Sequence, residues 1–147
     1  MLFRSGNMHA YEEDVNYQLN QLMKEHRQRA EEALSQLGLH VSQELVLFVL
    51  WREEGLSQSE LAARLRVELP TVTKAVQRME RAGLLIRQAD EKDTRVSRVY
   101  LTEKGRTLYA PALKIWQDLE ARMLHGMTEI EQALLRRLLQ QMVSNLS

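Results

Sequence analysis

The side chains equipped for chemistry gather between residues 71 and 98. Thr71, Thr73, Lys74, Gln77, Arg78 and Arg81 recur at intervals that share one face of a helix. Hydroxyl, amide and cationic groups are the types that reach phosphate oxygens and base edges in a DNA major groove. No carboxylate interrupts that face before Glu80, and an acid there would repel a polyanion. Further on, Asp90-Glu91-Lys92-Asp93-Thr94-Arg95, flanked by Arg87 and Arg98, places cations on a projecting loop. An arginine extended from such a loop can enter a narrow minor groove, where the negative potential is enhanced. Asp93 stands two residues before Arg95 and can orient its guanidinium by a charge-assisted hydrogen bond. Taken alone, the same residues also describe a solvated helix and a charged turn with no partner.

Catalytic residue types are dispersed instead. His9, His26, His40 and His125 have no metal-ligand spacing, and no glycine-rich phosphate loop occurs. Glu12-Glu13 and Glu53-Glu54 fall at helix ends, where solvation accounts for them. Enzyme chemistry, a metal and any other cofactor are therefore not expected. The absence of Cys from the 147 residues excludes a disulfide framework, a zinc ribbon, an iron–sulfur cluster and thiol-based oxidant sensing. The longest apolar run, residues 45 to 51, is far short of a membrane span. Residues 1 to 10 lack the apolar core of a signal peptide. A soluble cytoplasmic protein is expected.

Net charge is zero, with 20 basic and 20 acidic side chains, but the distribution is uneven. Residues 1–56 carry 5 basic and 9 acidic groups, residues 57–106 carry 11 and 7, and residues 107–147 carry 4 of each. A basic middle between acidic and neutral flanks favours a polyanion partner.

The elements that must position these residues follow from periodicity and punctuation. Residues 11 to 37 place Val15, Leu19, Leu22, Ala30, Ala33 and Leu34 on one helical face, closed by Gly38. Such a helix is about 40 Å long, more than a compact domain of this size can cover, so it is expected to pack on a second molecule. Ser42 is read as the N-cap of a buried helix over 43–54. Ser57 and Glu60 form a capping box for a short helix that includes Leu61, Ala62 and Leu65. Pro70 suits the first turn of the next helix, which Gly83 stops. These two helices make a helix-turn-helix skeleton. Residues 84–86 and 99–101 read as short strands of a hairpin with a long charged tip. A helix from 103 to 124 is expected to kink at Pro111. Thr128 and Glu131 then cap a last amphipathic helix that carries Ile130, Leu134, Leu138 and Met142.

The run Leu56-Ser57-Gln58-Ser59-Glu60-Leu61-Ala62, then Thr71-Val72-Thr73, then Met79-Glu80-Arg81-Ala82-Gly83-Leu84-Leu85, resembles the multiple-antibiotic-resistance regulator (MarR) family. Asp93-x-Arg95 followed by Leu101-Thr102-x-x-Gly105 is similar to that family's D-x-R…L-T-x-x-G signature. Leu69-Pro70 departs from it, since polar residues are more usual there. The resemblance covers nearly the whole chain, and it implies a mainly α fold with a small β-hairpin wing. One domain, 1–147, would hold a winged helix-turn-helix lobe over 42–101, with a recognition helix at 70–82 and a wing at 86–101. The helices over 11–37 and 103–146 would build a homodimer. It further implies binding to pseudo-palindromic double-stranded DNA, usually as a repressor. Pro70, Thr71, Thr73, Lys74, Gln77, Arg78, Arg95 and Arg98 are the expected DNA contacts, with Asp93 supporting the wing arginine.

The family's usual effector pocket lies between the dimer helices and the lobe. His26, Trp51, Tyr109 and Trp116 are the residues here that could line one for a small aromatic ligand, unless they serve only as core or interface. The alternative function is a winged helix that binds protein and never touches DNA. That module should expose apolar residues where this chain has Thr73, Lys74, Gln77, Arg78 and Arg95.

Overall fold

The computed structural model describes residues 13–147. His9 and Glu12 lie outside the described residues, but the helix expected from residue 11 does not run through the described Glu13 and Asp14, and Asp14 is the N-cap of a helix that starts at Val15. Helix α1 spans Val15–Ser35 and ends before Gly38, whose φ of 72° favours a residue without Cβ. Helix α2, Val41–Arg52, begins two residues before the expected start at 43, with His40 and not Ser42 as the N-cap. The cause lies partly in α1. Glu31 Oε1 accepts the Val41 N–H at 3.5 Å, while Gln43 Oε1 accepts the His40 N–H at 3.3 Å. Two otherwise orphaned N–H groups of α2 are thereby satisfied.

The next elements make the lobe. Leu56–Ser57 form a two-residue strand, β1, not anticipated from the sequence because two residues carry no alternation to detect. Ser57 Oγ accepts the Glu60 N–H at 3.1 Å and caps α3, Gln58–Leu65, as expected. Arg66 ends α3 in the left-handed region, at φ 54°, and turns the chain into α4, Leu69–Arg81. Val72, Ala75, Val76 and Met79 form the buried face of α4, against the core that Leu47, Leu50 and Leu61 share. Strands β2, Leu85–Ala89, and β3, Ser97–Leu101, pair antiparallel from Leu85↔Leu101 to Ala89↔Ser97. β1 adds to the free edge of β3 through Leu56↔Val99, giving the order β1-β3-β2.

The helix expected over 103–124 is two helices. α5 is Glu103–Thr107 and α6 is Tyr109–Met123, divided at Leu108. Pro111 therefore does not kink a long helix. It lies in the first turn of α6, where a missing N–H leaves no broken bond. Thr102 joins this region to the lobe. Its Oγ1 accepts the Gly105 N–H at 3.1 Å and donates to the Gly83 carbonyl at 2.6 Å. The last helix, α7, is Glu129–Leu146, opened by the expected Thr128/Glu131 capping box at 3.2 and 3.0 Å. No residue of α7 is buried. Among the described residues, no helix is long and apolar enough to cross a membrane.

Candidate nucleic-acid interface

Helix α4 turns its apolar stripe inward, so its polar residues can only face out. Pro70, Thr71, Lys74, Gln77 and Arg78 are exposed, or nearly so, and Thr73 is half-buried. The side chains of Thr71, Lys74, Gln77 and Arg78 have no protein partner among the described residues. Glu80, the first acid on this helix after the row, is taken up by the hairpin. Arg87 Nε and Nη2 donate to its two oxygens at 3.0 and 2.9 Å. Those hydrogen bonds hold the Glu80 carboxyl below its usual range.

The wing carries the second cationic element. Arg95 Nε and Nη2 donate to the two oxygens of Asp93 at 3.0 and 3.2 Å, and the Arg95 backbone N–H also meets Asp93 at 3.1 Å. The arrangement is the one expected from the two-residue spacing. Arg95 is nonetheless 90% exposed, and its hydrogen bonds keep Asp93 acidic. Its guanidinium is aimed but uncovered.

Arg98 is placed otherwise. It is only 34% exposed, its Nε donates to Asp90 Oδ1 at 2.6 Å, and its Nη1 donates to the Gly55 carbonyl at 2.8 Å. One of the expected DNA contacts, it ties the base of the wing to the loop before β1. Asp90 is a residue that sequence reasoning does not single out. Its Oδ2 accepts the Lys92 and Asp93 N–H groups at 3.0 and 2.9 Å, closing the tip as an Asx turn. Arg98 and these backbone donors push the Asp90 carboxyl down. The local signal is an Asp two residues before Lys92, but Arg98 and Gly55 are neighbours only in the fold.

The four expected pocket residues form two separate pairs. Trp51 stacks on Tyr109 with ring centroids 4.1 Å apart and planes parallel within 1°, at the junction of α2 and α6. His26 and Trp116 meet at 5.1 Å and line a cavity of about 570 Å³ between α1, the start of α2, and α6. Neither Trp51 nor Tyr109 borders that cavity. Behind Trp116 lies a residue that the sequence does not flag. Glu44 is 1% exposed, and neither of its carboxyl oxygens has a hydrogen-bond partner. Burial pushes its pKa up to about 7, and the Trp116 indole N–H opposes that only weakly, short of hydrogen-bond geometry. In the sequence it is one acid within an apolar helix, indistinguishable from a solvated one.

Comparison with known proteins agrees with this geometry. The MarR family model matches residues 39–97. The chain is 30% identical over 130 residues to the HTH-type transcriptional repressor IacR of Pseudomonas putida, covering 88% of this chain and 78% of that protein. It is 46% identical over 66 residues to the HTH-type transcriptional regulator TtmR of Methylorubrum extorquens, covering 45% of this chain but only 34% of TtmR. Among solved structures, the S. aureus MepR–DNA complex superposes with a TM-score of 0.79 at 26% identity, over 91% of this chain and 97% of that one. A helix-turn-helix seated on a common core, a wing beside it and these matches lead to one assignment. The chain belongs to the MarR family of winged helix-turn-helix, DNA-binding transcriptional regulators, which are not enzymes.

Proposed function

We propose that the chain acts in the cytoplasm as a homodimeric repressor of a pseudo-palindromic operator. Each α4 enters a major groove, and Arg95 of each wing reaches the adjacent minor groove. The observation that carries this reading is the pairing of an unpartnered outward row, Lys74, Gln77 and Arg78, with a wing guanidinium held bidentately by Asp93. An arginine fixed in advance loses less rotamer freedom on reaching its target. Thr71, Thr73 and Pro70 extend the same face, while Arg98 supports the wing from within.

The second subunit is a copy of this chain. Helix α7 exposes Ile130 at 82% and Leu146 at 91%, with Leu134, Leu138 and Val143 between them, and α1 exposes Val15, Leu22 and Met23. Apolar stripes of this length favour burial against another helix surface. A two-fold pairing through them sets the two α4 helices one DNA turn apart. The cavity beside His26 and Trp116 is the site for a small aromatic effector. A ligand wedged between α1, α2 and α6 would change the angle between lobe and dimer helices, and with it the spacing of the recognition helices.

Selection of random duplexes by the purified chain tests this reading. The expected product is an inverted repeat with half-site centres about 10 base pairs apart. Recovery of no shared motif overturns it.

A further inference from the structure

Thr73 differs from its neighbours on α4 in having a partner. Its Oγ1–H donates to Oε1 of Gln58, the first residue of α3, at 2.9 Å, and both residues are half-buried. Threonine in a helix commonly turns its hydroxyl back onto its own backbone three or four residues earlier. Here the bond crosses between the two helices of the motif. The backbone at Gln58 is fixed by its neighbour. It follows Ser57, which caps α3 and pairs with Arg98 in the sheet.

A hydroxyl has one proton and two acceptor lone pairs. Once its proton is committed to Gln58, the hydroxyl oxygen can only accept. We infer that Gln58 makes Thr73 an acceptor-only reader, selecting a base edge that offers an N–H in the major groove. Those edges are adenine N6 and cytosine N4. Guanine O6 and N7, thymine O4 and every phosphate oxygen are acceptors, and they meet Thr73 lone pair against lone pair. Thr73 is thus a specificity residue, and Gln58 the residue that positions it. The Gln58 amide N–H groups have no partner among the described residues, which leaves them available to a phosphate of the same strand. Thr71, lacking such a partner, retains both donor and acceptor and discriminates less.

The inference rests on the DNA-binding reading proposed above, and one series of selections separates the two. Random duplexes are selected with the wild type and with Thr73→Val, Gln58→Ala and Gln58→Glu, followed by anisotropy titration on the wild-type operator. Every base pair carries one such amino group. The wild type should therefore lose affinity when it is removed at one position of each half-site, by purine for adenine or 2-pyrimidinone for cytosine, and Thr73→Val should not share that loss. Thr73→Val and Gln58→Ala should each flatten that position alone and weaken the wild-type operator about three- to ten-fold. Combined, they should lose no more than the larger single effect. Gln58→Glu keeps the acceptor for the Thr73 proton, so it should keep the motif and the penalty for the removed amino group, although added negative charge weakens binding to all sequences. A wild type indifferent to removal of that amino group, at the position that Thr73→Val flattens, would mean that the hydroxyl does not accept there, overturning the inference while leaving DNA binding intact. Equal weakening of every sequence by Gln58→Ala, with the motif unchanged, would overturn it as well. Absence of any wild-type motif overturns the DNA reading and this pair together.

Discussion

At the scale of single residues, two spacings carry most of the chemistry, and both are local. Asp93 and Arg95 are close enough in sequence that their bidentate contact depends on little beyond the turn closed by Asp90. The outward row on α4 follows from helical periodicity once Val72, Ala75, Val76 and Met79 are taken inside. Both features are legible in the amino-acid sequence. The role of Arg98 is not, because its partners Asp90 and Gly55 come together only when the wing folds back beside β1. Two substitutions separate contact with DNA from packing. Arg95→Ala should weaken binding to specific and random duplexes alike and lower the slope of log affinity against log salt by about one. An unchanged affinity at moderate salt would remove Arg95 from the interface. Gly105→Ala should act through folding instead, because a Cβ there would stand 2.0 Å from the Leu84 carbonyl oxygen. A loss of about 3 kcal/mol or more in chemical denaturation is expected, and a near-neutral variant would contradict the close packing of α5 on the Leu84 backbone just before β2.

Elements succeed or fail in the sequence according to length and punctuation. Helices opened by hydroxyl caps are located closely, since Ser57 and Thr128 cap as expected, although of these two only Thr128 has the reciprocal bond of the box, from Glu131. The strand β1 and the split between α5 and α6 escape detection. One is too short for alternation, and the other depends on where Pro111 falls within a turn. Arg66 turns left-handed without the glycine that would have marked it. The joint between α2 and α6 holds the least expected group, Glu44. Its folded pKa is raised from the ordinary 4.5 to about 7. Between those values the native chain holds a proton that the unfolded chain has released, so stability falls as pH rises. The stabilisation is fully present below about 4.5 and is lost through pH 7, with a total span of about 3 kcal/mol. Glu44→Gln, denatured at fixed concentration from pH 5 to 8, should lack this slope and gain on the wild type as pH rises. A constant difference between the two proteins would refute the shifted carboxyl.

For the molecule as a whole, the described chain leaves its longest apolar stripes bare. Every buried residue lies outside α7, although that helix carries Ile130, Leu134, Leu138, Leu139, Val143 and Leu146. The overlong first helix and the last amphipathic one already imply this, because neither can be covered within one lobe. The effector pocket is not legible in the same way. Four aromatic and imidazole residues chosen by type divide into a stacked pair and a cavity wall, a division only tertiary packing decides. Truncation after Met127 removes α7 and should leave a monomer by light scattering, with operator binding lost. A truncated dimer would place the interface elsewhere.

The most direct test of the central claim is an anisotropy titration of the full chain on its selected duplex and on a scrambled one, repeated over a range of salt. The account predicts binding to the selected duplex at least about a thousand-fold tighter than to the scrambled one. Both affinities should fall steeply as salt rises, because phosphate contacts release counterions. Equal affinity for the two duplexes, or binding indifferent to salt, would contradict recognition through α4 and the wing.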